Sequence, residues 1–267
     1  MSDILQKIRP AELLIFKNGT SVEFKDLLKY TFLDLLLRQV LKTSNVQKQA
    51  HKRDRVRTYT YVQRGHNFNS YEAKGFELVF LSAFEKSPQI KILFKHLVAM
   101  SFENTEGKKK YLRSILGNGD VVKGAFKDNI LFAIFSTLSL TPQGVEKKDE
   151  LDASIKDYTT RFNAIDRSDK EKGIELFAEL HGNIFLLDDV DQSILKAYDK
   201  EFVLEFQKRS NSASGAYGCD GYWMLFDDYS SSFDGASSVF GDSGCGGDSG
   251  CSGGGCSGCG GCGGCGG

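Results

Sequence analysis

The residues with the clearest chemical potential are thiols. Seven cysteines stand at Cys219, Cys245, Cys251, Cys256, Cys259, Cys262 and Cys265, and none precedes residue 219. The last four repeat as Cys-x-x-Cys-x-x-Cys-x-x-Cys with glycine in most of the gaps. Thiolates three residues apart can wrap one soft cation, because glycine lets the backbone turn tightly around it. Cys256, Cys259, Cys262 and Cys265 are therefore the candidate metal ligands, with zinc or copper(I) as the cation. A structural zinc ribbon separates its two CxxC knuckles by about 12 or more residues. Here only Gly260 and Gly261 separate Cys259 from Cys262. A bacterial ferredoxin run carries proline after its last cysteine, and Gly266 stands there instead. The remaining readings are a flexible soft-metal clasp, a substrate for modification, or a tail with no fixed ligand.

A second cluster is basic. His51-Lys52-Arg53-Asp54-Arg55-Val56-Arg57 offers Arg53, Arg55 and Arg57 to phosphates if it forms the wing of a winged helix. The competing reading is a solvated hairpin. The helix that would enter a DNA groove, Leu33–Leu41, has Arg38 and Gln39 as its only long polar side chains. It suits packing against protein better than reading bases, so a protein partner is expected ahead of nucleic acid. Asp188-Asp189-Val190-Asp191 could seat a divalent cation, but it lacks the glycine and glutamate of an EF-hand loop. Capping a helix that starts near Gln192 is the simpler role. His51, His66, His96 and His181 are scattered, and none sits in an HExxH spacing. No nucleophile elbow, phosphate loop or dinucleotide fingerprint stands in its required context. No catalytic residues are assigned, and the chain is expected not to be an enzyme.

Charge is divided along the chain. The net charge is −1, but residues 1–150 hold 25 Lys/Arg against 16 Asp/Glu, and residues 151–267 hold 9 against 19. A basic half can meet nucleic acid or an acidic partner. It can equally dock its own acidic half, which is the expectation here. The apolar run Leu13–Phe16 is too short for a signal peptide, and no stretch is long enough to span a membrane. A cytoplasmic location is expected, where thiols stay reduced and free to bind metal.

The positioning elements follow from periodicity. Pro10 opens a short apolar helix over Ala11–Phe16, and Asn18-Gly19 is a turn signal. Ser21 can cap the next helix. Phe24, Leu27, Leu28, Phe32, Leu35, Leu36 and Val40 keep helical spacing, with a possible break near Tyr30-Thr31. Val56–Val62 alternates β-branched with larger residues, which predicts a strand that Gly65 ends. Leu41–Gln49 supplies its partner across the basic loop. The order then repeats: a helix over Tyr71–Phe84, a break at Pro88, helices over Lys91–Met100 and Lys108–Leu116, a turn at Gly117–Asp120, and a strand over Leu131–Leu140 closed by Thr141–Gly144. Helices over Val145–Phe162, Lys172–Leu187 and Gln192–Phe206 follow. Leu151, Ile155, Tyr158 and Phe162 form a stripe read as a packing seam. From Ser210 the composition turns to Ser, Gly and Asp with scattered aromatics, then to Gly and Cys. Such a segment buries too little apolar surface to offset its ordering entropy.

The opening Arg9-Pro10-Ala11-Glu12, the Asn-Gly turn, the Asp26-Leu27-Leu28 and Leu33-Asp34-Leu35-Leu36-Leu37-Arg38 helix and the Cys-Gly-Gly ending resemble a group of uncharacterised bacterial proteins. That family joins winged-helix-like units to a glycine- or glycine/cysteine-rich C-terminus. Many members resemble membrane proteins, whose transmembrane helices this chain lacks. The resemblance implies a fold and no activity. The expected class is mainly α with a small β part (α+β). Residues 1–68 and 69–144 form two tandem winged-helix-like units, 145–209 a helical segment packed on the body, and 210–267 a disordered tail. The expected function is a non-enzymatic interaction module with a flexible cysteine-rich tail. The tail composition also resembles the core peptides of thiazole- and oxazole-containing microcins, which makes a modified-peptide precursor one alternative; residues 1–210 would then be an unusually large leader. A DNA-binding regulator is the other alternative.

Overall fold

In the computed structural model the described residues are 3–49, 55–127, 138–165, 169–190 and 231–237. They are mostly helical, with one small antiparallel sheet. The chain begins with α1 (Ile4–Lys7), α2 (Pro10–Asn18) and α3 (Phe24–Leu37), followed by the hairpin β1 (Leu41–Lys48) and β2 (Arg57–Arg64). Then come α4 (Leu78–Lys86), β3 (Ile92–Leu93), α5 (Phe94–Asn104) and α6 (Lys108–Asn118). The long α7 (Pro142–Asn163) and α8 (Lys170–Leu180) lead into a 3₁₀ turn over His181–Leu186.

Helix α2 starts where the sequence predicts, because proline at its first position has a preset φ and no N–H to lose. The Glu12 side chain accepts the backbone N–H of Arg9 at 2.8 Å, closing the first turn. Every residue from Pro10 to Phe16 is buried, so α2 is a central helix without a solvent face. Gly19, at φ +57°, ends the C-terminal turn. Ser21 does not cap α3; Glu23 stands at the N-cap without a side-chain bond. Helix α3 runs unbroken through Tyr30 and Thr31. The Thr31 hydroxyl returns a bond to Leu27 O at 2.7 Å and shares another, at 3.1 Å, with the buried Tyr111 hydroxyl.

The end of α3 sets the sheet. Gln39 has φ +57°, the Gln39 N–H bonds Leu36 O, and the Val40 N–H bonds Leu35 O, both at 2.9 Å. This is a Schellman cap with glutamine in the position that glycine usually fills. The chain reverses there into β1. Strands β1 and β2 pair antiparallel from Leu41↔Arg64 to Lys48↔Arg57. β3 adds to β2 through Tyr61↔Leu93 and Val62↔Ile92. Ile92 and Leu93 are therefore extended, where the sequence predicts the start of a helix. Gly65 backs onto the α3 cap, its N–H bonding Val40 O at 2.8 Å. A Cβ at Gly65 would lie 2.1 Å from Gln39 O, so only glycine fits.

Two further boundaries move. Residues 71–74 lie outside helix, and the helical run starts with a 3₁₀ turn over Gly75–Glu77 before α4. Thr141-Pro142, read as the close of a strand, instead opens α7: the Thr141 hydroxyl accepts the Gly144 N–H at 3.0 Å and Pro142 takes a first helical position. Helix α7 thus crosses the boundary expected at 144/145. Of the predicted strand Leu131–Leu140, residues 131–137 lie outside the described residues; Leu140 bridges Phe126 antiparallel. The helix expected over Gln192–Phe206 also lies outside them.

One core joins α3, α4 and α5. Phe32 of α3 meets Phe80 of α4 at 5.5 Å and Phe94 of α5 at 5.1 Å between ring centroids. The predicted stripe of α7, Leu151, Ile155, Tyr158 and Phe162, is buried along its whole length. Residues 231–237, inside the segment expected to be disordered, are helical, and Phe233 is fully buried. No helix among the described residues is long and apolar enough to cross a membrane.

Gly65→Ala is expected to lower stability by about 1–3 kcal/mol through the clash with the α3 cap. Urea denaturation with an unchanged m-value checks this. Gln39→Gly is expected to act oppositely, because it relieves a left-handed backbone that costs a residue with a side chain about 1–2 kcal/mol.

Candidate functional site

Ionisable side chains converge at one interior junction. Arg9 caps α2 and places its Nε 3.4 Å from Glu77 Oε1. Its guanidinium lies 5.3 Å from the centre of the Tyr71 ring. Glu77 accepts the Tyr71 hydroxyl at 2.8 Å and the Lys74 N–H at 2.7 Å. One helical turn before the end of α3, Asp34 accepts Arg38 Nε at 2.7 Å and the Gly182 N–H at 2.9 Å. A Cβ on Gly182 would stand 2.7 Å from Pro10 Cγ and 2.8 Å from Asp34 Cβ, which explains glycine there. Asn183 Nδ2 donates to Leu5 O and Ile8 O, both at 2.8 Å. Four parts of the chain meet at this point: the α1–α2 link, the end of α3, the segment before α4 and the turn after α8.

The electrostatics follow from burial. Desolvation pushes the Asp34 carboxyl up, but the charges of Arg38, Arg9 and His181 outweigh it and hold it below the usual carboxylate range. Burial raises Glu77 and Glu12; Arg9 opposes the rise at Glu77, and the backbone N–H donors of Arg9, Val121 and Val122 oppose it at Glu12. His181, at φ +47°, is pushed down to about 4 by burial and by the Arg38 charge, with Asp34 opposing. It is therefore neutral at pH 7. Arg9 Nε, Arg38 Nη2, His181 Nδ1 and Asn183 Oδ1 are buried without a hydrogen-bond partner. Acid–base chemistry needs a carboxylate that can reach a substrate. Asp34 is only 2 % exposed and both its oxygens are engaged, so this cluster holds the fold together rather than reacting.

The exposed feature is the hairpin. Asn45 to Lys48 are all exposed, as are Arg57 and Thr58 opposite them, so the distal half of β1–β2 stands clear of the body. By register, one face carries Lys42, Ser44, Val46 and Lys48 beside Gln63, Tyr61, Tyr59 and Arg57. Lys48 Nζ donates to the Tyr61 hydroxyl at 3.2 Å and lies 5.4 Å from that ring's centre. Among the described residues, none of Lys42, Lys48, Arg55 and Arg57 takes part in an ion pair. Val46 and Val56 are exposed beside them.

The predicted sites divide accordingly. Arg55 and Arg57 are exposed on the hairpin, while Arg53 lies outside the described residues. Cys256, Cys259, Cys262 and Cys265 also lie outside them. Asp188 binds Lys17 at 2.6 Å, and no cluster able to hold a metal ion occurs among the described residues. The Lys17–Asp188 and Lys25–Asp234 pairs join the basic half to the acidic half, as expected. His66 and His96 are exposed, and His51 lies outside the described residues. The junction itself was not anticipated. Its signal was an acid and a base four residues apart, Asp34 and Arg38, in an otherwise apolar run of leucines. No family model, curated protein or solved structure matches this chain.

Asp34→Ala leaves Arg9 and Arg38 buried without their shared counter-charge, and is expected to cost about 3–5 kcal/mol of stability. His181 binds a proton in the unfolded chain near its ordinary value but in the folded chain only near 4. Its contribution is thus present above about 6.5 and is lost as pH falls toward 4. His181→Asn, which tolerates positive φ, is expected to flatten the fall in unfolding free energy across this window by an amount on the order of 2 kcal/mol. Denaturation of both proteins at a series of pH values checks this.

Proposed function

We propose that this protein is a non-enzymatic interaction module that grips an acidic protein surface with its hairpin and carries a cysteine-rich clasp for a soft metal ion. The observation that carries the contact reading is the projecting distal half of β1–β2, whose cations have no acidic partner among the described residues. Solvated, unpaired cations on a narrow ribbon are positioned to meet a surface of opposite charge. Exposed Val46 and Val56 add apolar contact between them. The order α2, α3, β1, β2 supports a winged-helix-like reading of residues 1–68, with the hairpin as wing. The order α4, β3, α5, α6 and the Phe126–Leu140 bridge support the same reading of residues 69–144.

Nucleic acid is the second reading. What favours it is Tyr59 and Tyr61 on the same hairpin face as Lys42, Lys48 and Arg57, since ring stacking beside cations is how single strands are held. Against groove reading by a helix, α3 is buried from Thr31 to Leu37, and Arg38 is committed to Asp34. The clasp rests on the spacing of Cys256, Cys259, Cys262 and Cys265, with zinc or copper(I) as the ion.

Reversing Lys48, Arg55 and Arg57 to glutamate is expected to weaken low-salt binding of a fluorescent polyglutamate peptide by at least about tenfold. Unchanged binding would contradict the contact reading. Tighter binding of an oligothymidine of equal charge, with quenching of tyrosine emission, would favour the second. Full-length protein purified without oxygen is expected to carry about one equivalent of zinc or copper(I). The chain with serine at the four terminal cysteines is expected to lose it, and equal metal contents would rule out the clasp.

A further inference from the structure

Phe233 is 0 % exposed, although 191–230 separate it from the rest of the described chain. Its ring centre lies 6.3 Å from Phe32, 6.0 Å from Phe94 and 6.4 Å from Phe102. The next residue, Asp234, pairs with Lys25 Nζ at 2.9 Å. Within the segment Ser231, Asp234 and Gly235 are exposed, Phe233 is buried, and Ala236 packs partly against the core. The rings beneath it also pack on one another and on their neighbours. Phe32 packs on Phe80 and Phe94, and Phe24 meets Phe102 edge-on at 5.0 Å. A core element would bury a stripe of side chains. A short helical turn that buries one aromatic side chain and sets an ion pair beside it has the anatomy of a peptide docked on a receptor surface.

We infer that the face made by α3 and α5 is a docking site for an aromatic–carboxylate peptide, and that its ligand is this chain's own 231–237 segment. The site has two recognition elements: an apolar slot lined by Phe32, Phe94 and Phe102, and the Lys25 ammonium beside it. Phenylalanine followed by aspartate satisfies both. Covalent connection raises the local concentration of the segment, so the chain's own copy excludes the same peptide arriving in trans. Phe233 stands 12 residues before Cys245 in the sequence. The site uses none of the hairpin's residues, and its failure or success is independent of the contact reading.

The test uses full-length Phe233→Ala, which empties the slot, and a fluorescent peptide spanning 228–240. Anisotropy is expected to show at least about tenfold tighter peptide binding to the variant than to the wild-type chain, in which the slot is filled. Replacing phenylalanine by alanine in the peptide is expected to abolish binding, and adding Lys25→Glu to the variant to weaken it severalfold. No binding to the variant, equal binding to both chains, or binding that ignores the phenylalanine would overturn the inference. A wild-type dimer that disappears in Phe233→Ala would also overturn it, by assigning the occupant to a second copy. Should Phe233→Ala lose its fold, Lys25→Glu alone gives the reading by amide exchange. Faster exchange at 231–237 with α3 still protected is expected; unchanged exchange at that segment would count against the docking site.

Discussion

A single buried carboxylate organises the body. An ionised group taken out of water is costly unless it is paired and hydrogen-bonded. Asp34 meets that condition with one bond from Arg38, one from the Gly182 backbone and the charge of Arg9. Each partner comes from a different part of the chain. The start of α2, the end of α3 and the turn after α8 therefore have little freedom to move independently. Gly182 and Pro10 meet closely at the same point, so steric fit and charge enforce one arrangement. Such a junction contributes less to net stability than an apolar core of equal volume. It does penalise any packing in which one partner is missing.

Much of the scaffold was legible because it depends on local patterns. Proline at the start of α2, the alternation of β2 and the stripe on α7 each follow from a short stretch of sequence, and the structure repeats them. The parts that were not legible depend on distant partners or on backbone conformations that residue type does not announce. Gln39 adopts a left-handed cap that glycine normally takes, which hid the abrupt exit from α3. Ile92 and Leu93 are extended only because β2 offers them an edge. Thr141-Pro142 marks turns as readily as helix starts, and the bond to Gly144 decides between them. Phe233 lies among Ser, Gly and Asp, whose composition argues against order; the slot that receives it is built by residues about 130 to 200 positions earlier.

The candidate site divides in the same way. The basic loop was visible as a charge run, and Arg55 and Arg57 are exposed. The junction was hidden because Arg9, Asp34, Glu77 and His181 are far apart in sequence and resemble ordinary surface charges until packing joins them. The described residues thus comprise a body that commits its interior charges to one another and a hairpin whose distal cations are exposed.

The claim most in need of test is that the Asp34 junction holds the body as one unit. Native-state amide exchange of the full chain addresses it directly, through the Gly182 N–H that Asp34 accepts. If the account is right, that amide exchanges only with global unfolding, with the same free energy and denaturant dependence as the amides of α3. If Gly182 exchanges by local opening while α3 remains protected, the turn after α8 detaches on its own, and the junction is not the constraint on which the fold depends.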